Sequence, residues 1–198
     1  ENANQWEGGL KSNFFDNKLS ATASYYHITV ANRLMTDPGN INNSIQGGEV
    51  VSQGYEISLT ANPIMGLNLI AGYSNNDSEV TKDYEASGYL GLRPEEAGPA
   101  ELFNFWASYS IPSGTFKGVG VGFGGNGASE HLTLNRATTG TFVLPAYQVF
   151  NASLSYSTFQ YDIILKANNI TDQQYYSGWS TVTPQNLRNY SLSLNFKF

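Results

Sequence analysis

The stretch YEISLTANPIMGLNLIAGY, Tyr55–Tyr73, carries the decisive pattern of this chain. In its first half Tyr55, Ile57, Leu59 and Ala61 alternate with Glu56, Ser58 and Thr60, and in its second half Leu67, Leu69, Ala71 and Tyr73 form a matching apolar set. Side chains of a β-strand point to opposite faces with a period of two, so each half reads as a strand with one apolar face. Between them Asn62-Pro63-Ile64-Met65-Gly66 is a tight connection built on proline and glycine. Two architectures make such hairpins: a soluble antiparallel sheet with one wet face, and a membrane barrel with lipid outside and water inside. The hairpin alone fits both.

Working outward, the same period predicts nine strands: 4–15, 17–34, 49–62, 66–80, 100–112, 117–130, 142–157, 160–171 and 185–198. Their apolar faces are Trp6, Leu10 and Phe14; Leu19, Ala21, Ala23 and Tyr25; then the two sets of the central hairpin. Phe103, Phe105, Ala107 and Tyr109 follow, then Val119, Val121 and Phe123, then Phe150, Ala152, Leu154 and Tyr156. The series closes with Tyr161, Ile163, Leu165 and Ala167, and with Tyr190, Leu192, Leu194, Phe196 and Phe198. Opposite faces read Ser, Thr, Asn, Glu, Lys or Gly, with Trp106 and Ile164 as exceptions. No stretch carries a helical period.

The connections separate the two architectures. Those at 15–18, 62–66, 112–117 and 157–160 are tight; those at 35–48, 81–99, 131–141 and 172–184 are long and polar, and the two kinds alternate strictly. Short turns at one end and long loops at the other are the pattern of outer-membrane barrels. A soluble sandwich segregates its loop lengths only where binding loops cluster. With the tight turns in the periplasm, the chain starts outside and its last strand descends. Tyr73, Tyr109, Tyr156, Tyr161 and Phe198 then fall at the two interfaces as aromatic girdles.

Composition agrees. Charged residues make up only 13% of the 198 residues, against roughly 25% in an ordinary soluble domain, while aromatics reach 14%, with 13 Tyr and 11 Phe. A mean hydropathy of −0.31 is no objection, because a spanning strand is half polar. A net charge of −6, with ten Lys and Arg scattered along the chain, excludes nucleic acid as a partner. With no cysteine there are no disulfides, thiolate metal sites or cysteine nucleophiles. The first residues lack the basic start and apolar run of a signal peptide, and a strand predicted from residue 4 points to a fragment of a longer protein.

Several stretches resemble the carboxy-terminal barrel segment of TonB-dependent outer-membrane receptors, in particular ferric-siderophore receptors of the ferrichrome and coprogen type. They are SQGYEISLTANPIMGLNLIAGYSNND (52–77), FNFWASYSI (103–111), FNASLSYS (150–157), ILKANNITDQQYY (164–176) and LRNYSLSLNFKF (187–198). Most specific is the last pair, in which Asn-Asn-Ile-Thr-Asp ends a strand, Tyr-Tyr follows, and an Arg precedes an aromatic-terminated strand. The resemblance implies an antiparallel up-and-down transmembrane β-barrel of about 22 strands with a plugged lumen, nine of them in residues 1–198. The plug, the energy-coupling box and the earlier strands would lie outside this chain. It further implies a ferric siderophore as ligand, the TonB complex as partner through the plug, outer-membrane lipid around the wall, and barrel-assembly machinery that reads Tyr190, Leu192, Leu194, Phe196 and Phe198. No enzyme activity and no resident cofactor or metal are expected, since iron travels inside its chelate.

Individual motifs fit this frame. GVGFGG at 120–125 matches a dinucleotide loop only formally; its glycines alternate with Val121 and Phe123, and no helix follows, so it reads as a glycine-lined lumen face. The acidic run 75–85 lacks the spacing of a calcium loop. Candidate ligand-contacting residues in the outer loops are Arg33, Arg93, His131, Arg136, Tyr175, Tyr176 and Trp179, the cations for an anionic chelate and the aromatics for stacking; salt bridges and loop packing are their plainer roles. Two other readings are a soluble β-sandwich or jelly-roll module that binds carbohydrate, and a non-specific porin or adhesin barrel.

Overall fold

The computed structural model describes residues 1–197; Phe198, expected to close the assembly signal, lies outside them. Nine long strands form one sheet in which sequence neighbours are spatial neighbours. They are β1 (Asn2–Phe14), β2 (Leu19–Asp37), β3 (Asn40–Ala61), β4 (Leu67–Lys82), β5 (Glu101–Ser110), β6 (Val119–Ala128), β9 (Tyr147–Ser157), β10 (Tyr161–Asn168) and β13 (Asn189–Phe196). Every pairing is antiparallel. The two gaps in this numbering are hairpins inside the long connections: β7 (His131–Arg136) with β8 (Gly140–Leu144), and the two-residue β11 (Tyr176–Ser177) with β12 (Thr183–Pro184).

The predicted apolar faces come together on one side of the sheet. Register places Leu10 opposite Ala23, Ala23 opposite Ile57, Leu59 opposite Ala71, Phe105 opposite Gly125, Val121 opposite Leu154, and Leu165 opposite both Leu154 and Leu192. This face is not covered: Leu10 is 81% exposed, Leu192 is 70%, and Leu59, Leu154 and Leu165 are all exposed. Among the described residues no second sheet packs against it, which removes the β-sandwich reading. Near Trp6, Tyr25, Tyr55 and Tyr73 it carries a row of rings across four strands, with centroids 5.5 Å apart for Trp6–Tyr25 and 5.9 Å for Tyr55–Tyr73. Tyr109, Tyr156 and Tyr161 mark the opposite rim, beside the tight turns. Two aromatic rows bracketing an apolar band are what a wall facing lipid requires.

The other face is polar and its irregularities are local. β6 presents Gly120, Gly122 and Gly124 to it, and the indole of Trp106 lies over the last two; a Cβ on Gly122 would come within 2.5 Å of that ring. Gly122 and Gly124 of GVGFGG thus make room for a large aromatic on the wet side.

Two predicted loops are ordered strand instead. Residues 35–48 continue β2 and β3 up to a turn at Pro38-Gly39, where the Asp37 carboxylate accepts the Gly39 N–H at 2.8 Å. Asp-Pro-Gly suits a tight turn, and the polar sequence around it pairs through its backbone, which a hydropathy pattern does not register. Residues 131–141 belong to the β7–β8 hairpin, and residues 75–82 to β4, so the run read as an acidic loop is largely strand. The few buried apolar residues, Val80, Ala128, Leu144 and Val149, come from β4, β6, β8 and β9 near the long-connection end.

Candidate functional site

At that end the long connections tie to one another. In 83–100 two single 3-10 turns (Glu85–Ser87 and Glu95–Ala97) break up the chain. The segment folds back on β4, where Val80 exchanges backbone hydrogen bonds with Gly91 and Leu92, at 2.9 Å each. Arg93 fastens it: Nη1 donates to the Asn76 carbonyl and Nη2 to Asn76 Oδ1, both at 2.8 Å, and Nε to the Gly98 carbonyl at 3.1 Å. Asn76 is the hub beneath. Its amide donates to the Tyr26 hydroxyl at 2.8 Å and to Ser52 at 3.0 Å, and its Oδ1 accepts from Ser78. Burial pushes the Arg93 pKa down, but a guanidinium stays charged.

The β7–β8 hairpin docks on the same segment. The Asn135 amide donates to the Arg93 carbonyl at 2.9 Å, the Ala137 N–H to the Gly88 carbonyl at 2.9 Å, and Arg136 Nε to Glu95 at 3.1 Å while its guanidinium lies 5.1 Å over the Tyr89 ring. The Glu95 hydrogen bond holds the Arg136 pKa up, and burial raises that of Tyr89.

These contacts wall a cleft of about 600 Å³ between the upper parts of β2, β3 and β4 and the long connections. A bulge at Asn32, in the left-handed region at φ 57°, shifts the register so that Arg33 pairs with Gly48 on the polar face. Three ion pairs line the walls: Arg33–Glu96 at 2.7 Å, Lys82–Glu49 at 2.7 Å and Arg136–Glu95 at 3.1 Å. Leu34, Met35, Val50 and Val80 supply apolar lining, and Trp179, 52% exposed, stands at the rim.

Of the seven residues expected to meet ligand, the cleft brings together Arg33, Arg136 and Trp179. Arg93 is occupied with Asn76 and the 97–99 backbone. His131 is nearly buried, with Nε2 3.4 Å from the Gly178 carbonyl. Tyr175 packs on Tyr147, centroids 4.4 Å apart, and Tyr176 is exposed on the short β11 away from the cleft lining. Sequence reasoning missed Tyr89, Glu49, Lys82 and Glu95, whose partners lie as far off as Arg136 does from Tyr89; the adjacent Glu95-Glu96 beside Arg93 is the one local signal.

The Asn-Asn-Ile-Thr-Asp motif proves to be the base of the last long connection. Asn169 is 2% exposed with φ 51°, and its amide donates to the carbonyls of Gln173 and Asn186, at 2.9 and 3.1 Å, while Oδ1 accepts the Gln173 N–H at 2.9 Å. Asp172 accepts the Arg188 N–H at 2.8 Å, and Asn168 donates to Asn189 at 2.9 Å. The arginine before the last strand thus closes the loop that the asparagines open. In that strand Tyr190, Leu192, Leu194 and Phe196 are 53–70% exposed on the apolar face.

An up-and-down sheet with an uncovered apolar face, two aromatic rows and all its long connections at one end is the wall of an outer-membrane β-barrel. The family model "TonB dependent receptor-like, beta-barrel" matches residues 1–195, and the chain belongs to that family. It is 29% identical over 178 residues to the ferrichrome outer membrane transporter/phage receptor of Escherichia coli K12, covering 86% of this chain and 23% of that protein. It is 28% identical over 206 residues to the metal-pseudopaline receptor CntO of Pseudomonas aeruginosa, covering all of this chain and 28% of that protein. The crystal structure of the siderophore receptor PiuA from Acinetobacter baumannii superposes with a TM-score of 0.83 at 26% identity, over 99% of this chain and 28% of that one. The chain therefore spans about a quarter of the length of the relatives it matches.

Proposed function

We propose that residues 1–198 form the carboxy-terminal nine strands of a TonB-dependent siderophore receptor. The complete protein binds a ferric siderophore at its outer mouth and imports it when the TonB complex rearranges the plug. The observation that carries this is the agreement between the uncovered, girdled sheet and relatives that are named receptors for ferrichrome, ferric pyoverdine and metal-pseudopaline. The relatives are transport receptors rather than enzymes, and the cleft holds ion pairs and aromatics suited to recognition. Iron enters inside its chelate, so the wall needs no metal ligands or cofactor of its own. The apolar face takes lipid, and the assembly machinery reads the Tyr190, Leu192, Leu194 and Phe196 face of the last strand. Of the residues named from sequence, Arg33, Arg136 and Trp179 face the ligand, while Arg93, His131, Tyr175 and Tyr176 shape the loops around it.

The test uses the complete receptor in an outer membrane. Cells carrying it should accumulate radio-iron from a ferric siderophore, and should lose that uptake when the receptor gene is deleted or the inner-membrane potential is collapsed. Unchanged uptake after deletion, with every candidate chelate, refutes the reading.

A further inference from the structure

We infer that this sector of the mouth selects ferric chelates of zero or positive net charge over polyanionic ones. The inference rests on the siderophore-receptor reading and adds the charge class of the ligand. The cleft has three cations, Arg33, Lys82 and Arg136, against four carboxylates, Glu49, Asp83, Glu95 and Glu96, which leaves one negative charge in excess. Every cation in it is already paired, at 2.7, 2.7 and 3.1 Å. A cleft built for a polyanion would leave cations free of carboxylate partners.

The carboxylates, not the cations, are the fixed members of two pairs. Glu95 is only 12% exposed in its side chain, and its Oε1 accepts the backbone N–H of Asn135 at 3.0 Å in addition to Arg136. Glu49 is 18% exposed and accepts the Thr81 hydroxyl at 2.9 Å, whereas its partner Lys82 is 62% exposed. A polyanionic ligand could recruit Arg136 or Lys82 only by drawing it away from a carboxylate that cannot follow into solvent. The abandoned carboxylate would then stand unpaired in the wall and repel the arriving charge, and both effects oppose binding. An uncharged chelate leaves the three pairs intact and makes its contacts on Trp179, Tyr89 and the apolar floor.

The experiment measures affinities of the complete, detergent-solubilised receptor for two ferric chelates of similar size, an uncharged tris-hydroxamate and a trianionic tris-catecholate. The wild type should hold the tris-hydroxamate about tenfold more tightly or better, the scale of one uncompensated charge contact at a protein surface. Glu95→Gln keeps an amide oxygen for the Asn135 N–H while freeing Arg136, and should move the affinity ratio about five- to tenfold toward the tris-catecholate. Glu96→Gln frees Arg33 from a more exposed partner and should move it in the same direction, so the outcome does not hang on one variant's folding. A wild type that prefers the tris-catecholate, or a ratio unmoved in both variants, overturns the charge preference while leaving the receptor reading intact. Binding of neither chelate overturns the charge preference as well, and the receptor reading then stands or falls on the uptake experiment.

Discussion

Replacing Arg93 by alanine should loosen the segment 83–100 without disturbing the strands below it. The guanidinium makes its two shortest bonds to one residue, Asn76, and a third to Gly98, with all three acceptors neutral. A hydrogen bond from a charged donor contributes about 1.5–3 kcal/mol, and water can refill part of a site that is only half-buried, so the net local loss should be about 2–3 kcal/mol. At 1.4 kcal/mol per factor of ten, that raises the opening frequency of the segment roughly 30- to 150-fold. Hydrogen exchange on the complete receptor reads this directly. The amides of Val80, Gly91 and Ala137, whose acceptors lie across this junction, should lose protection by that factor, while those of Ile163 and Leu165 in the β10 ladder should not change. Arg93→Lys should recover little, because an ammonium cannot reach the Asn76 carbonyl and side chain in the same forked geometry. Unchanged exchange at Gly91 and Val80 in Arg93→Ala would refute the view that this arginine fastens the segment.

Other outcomes follow from the same structure. Gly122→Val should displace the Trp106 indole and lower the thermal midpoint in detergent by the equivalent of about 1–3 kcal/mol, with much of the loss recovered in the double variant with Trp106→Ala. Asn169→Ala should cost the base of the last long connection about 2–4 kcal/mol, seen as faster proteolytic cleavage between residues 173 and 187 in the assembled receptor. Leu165→Arg, midway up a lipid-facing strand, should destabilise the folded barrel by about 2–4 kcal/mol in refolding titrations, whereas Lys166→Arg on the opposite face should be nearly silent. Trp179→Ala should weaken ferric-siderophore binding by about 1–3 kcal/mol, and Tyr176→Ala by clearly less, because only the tryptophan lines the cleft.

The wall was legible because its information is local. Period-two alternation in stretches such as Leu19–Tyr25 and Tyr161–Ala167 fixes which side chains face lipid, and a tight turn fixes the register of its two strands. All nine predicted strands are present, with ends displaced mainly where strands continue past the alternating pattern, as in Asn40–Gly48. The mouth was not legible in the same way. Arg136 finds Glu95, Arg93 finds Asn76, and Arg33 finds Glu96 across 41, 17 and 63 residues. Charged side chains at such separations carry no periodic mark, so the arginines could be nominated from sequence but not their partners. Asn169 shows the intermediate case: its motif stood out as a string of letters, yet the reason, a buried amide closing a loop in a left-handed conformation, needed the backbone path.

The β2–β3 hairpin also bears on how the protein meets its surroundings. From Tyr25, in the upper ring row, β2 runs on to Asp37, a rise of about 40 Å along the strand at roughly 3.4 Å per residue. That paired ribbon is a mast, and its head is the two-residue turn Pro38-Gly39, braced by Asp37 rather than by neighbouring loops. A peptide spliced into so exposed a turn would be carried clear of the bilayer while the ladder beneath it kept its register. The turn thus offers a mounting point for an epitope, an affinity tag or a fluorophore, a few residues beyond Leu34 and Met35 in the cleft wall.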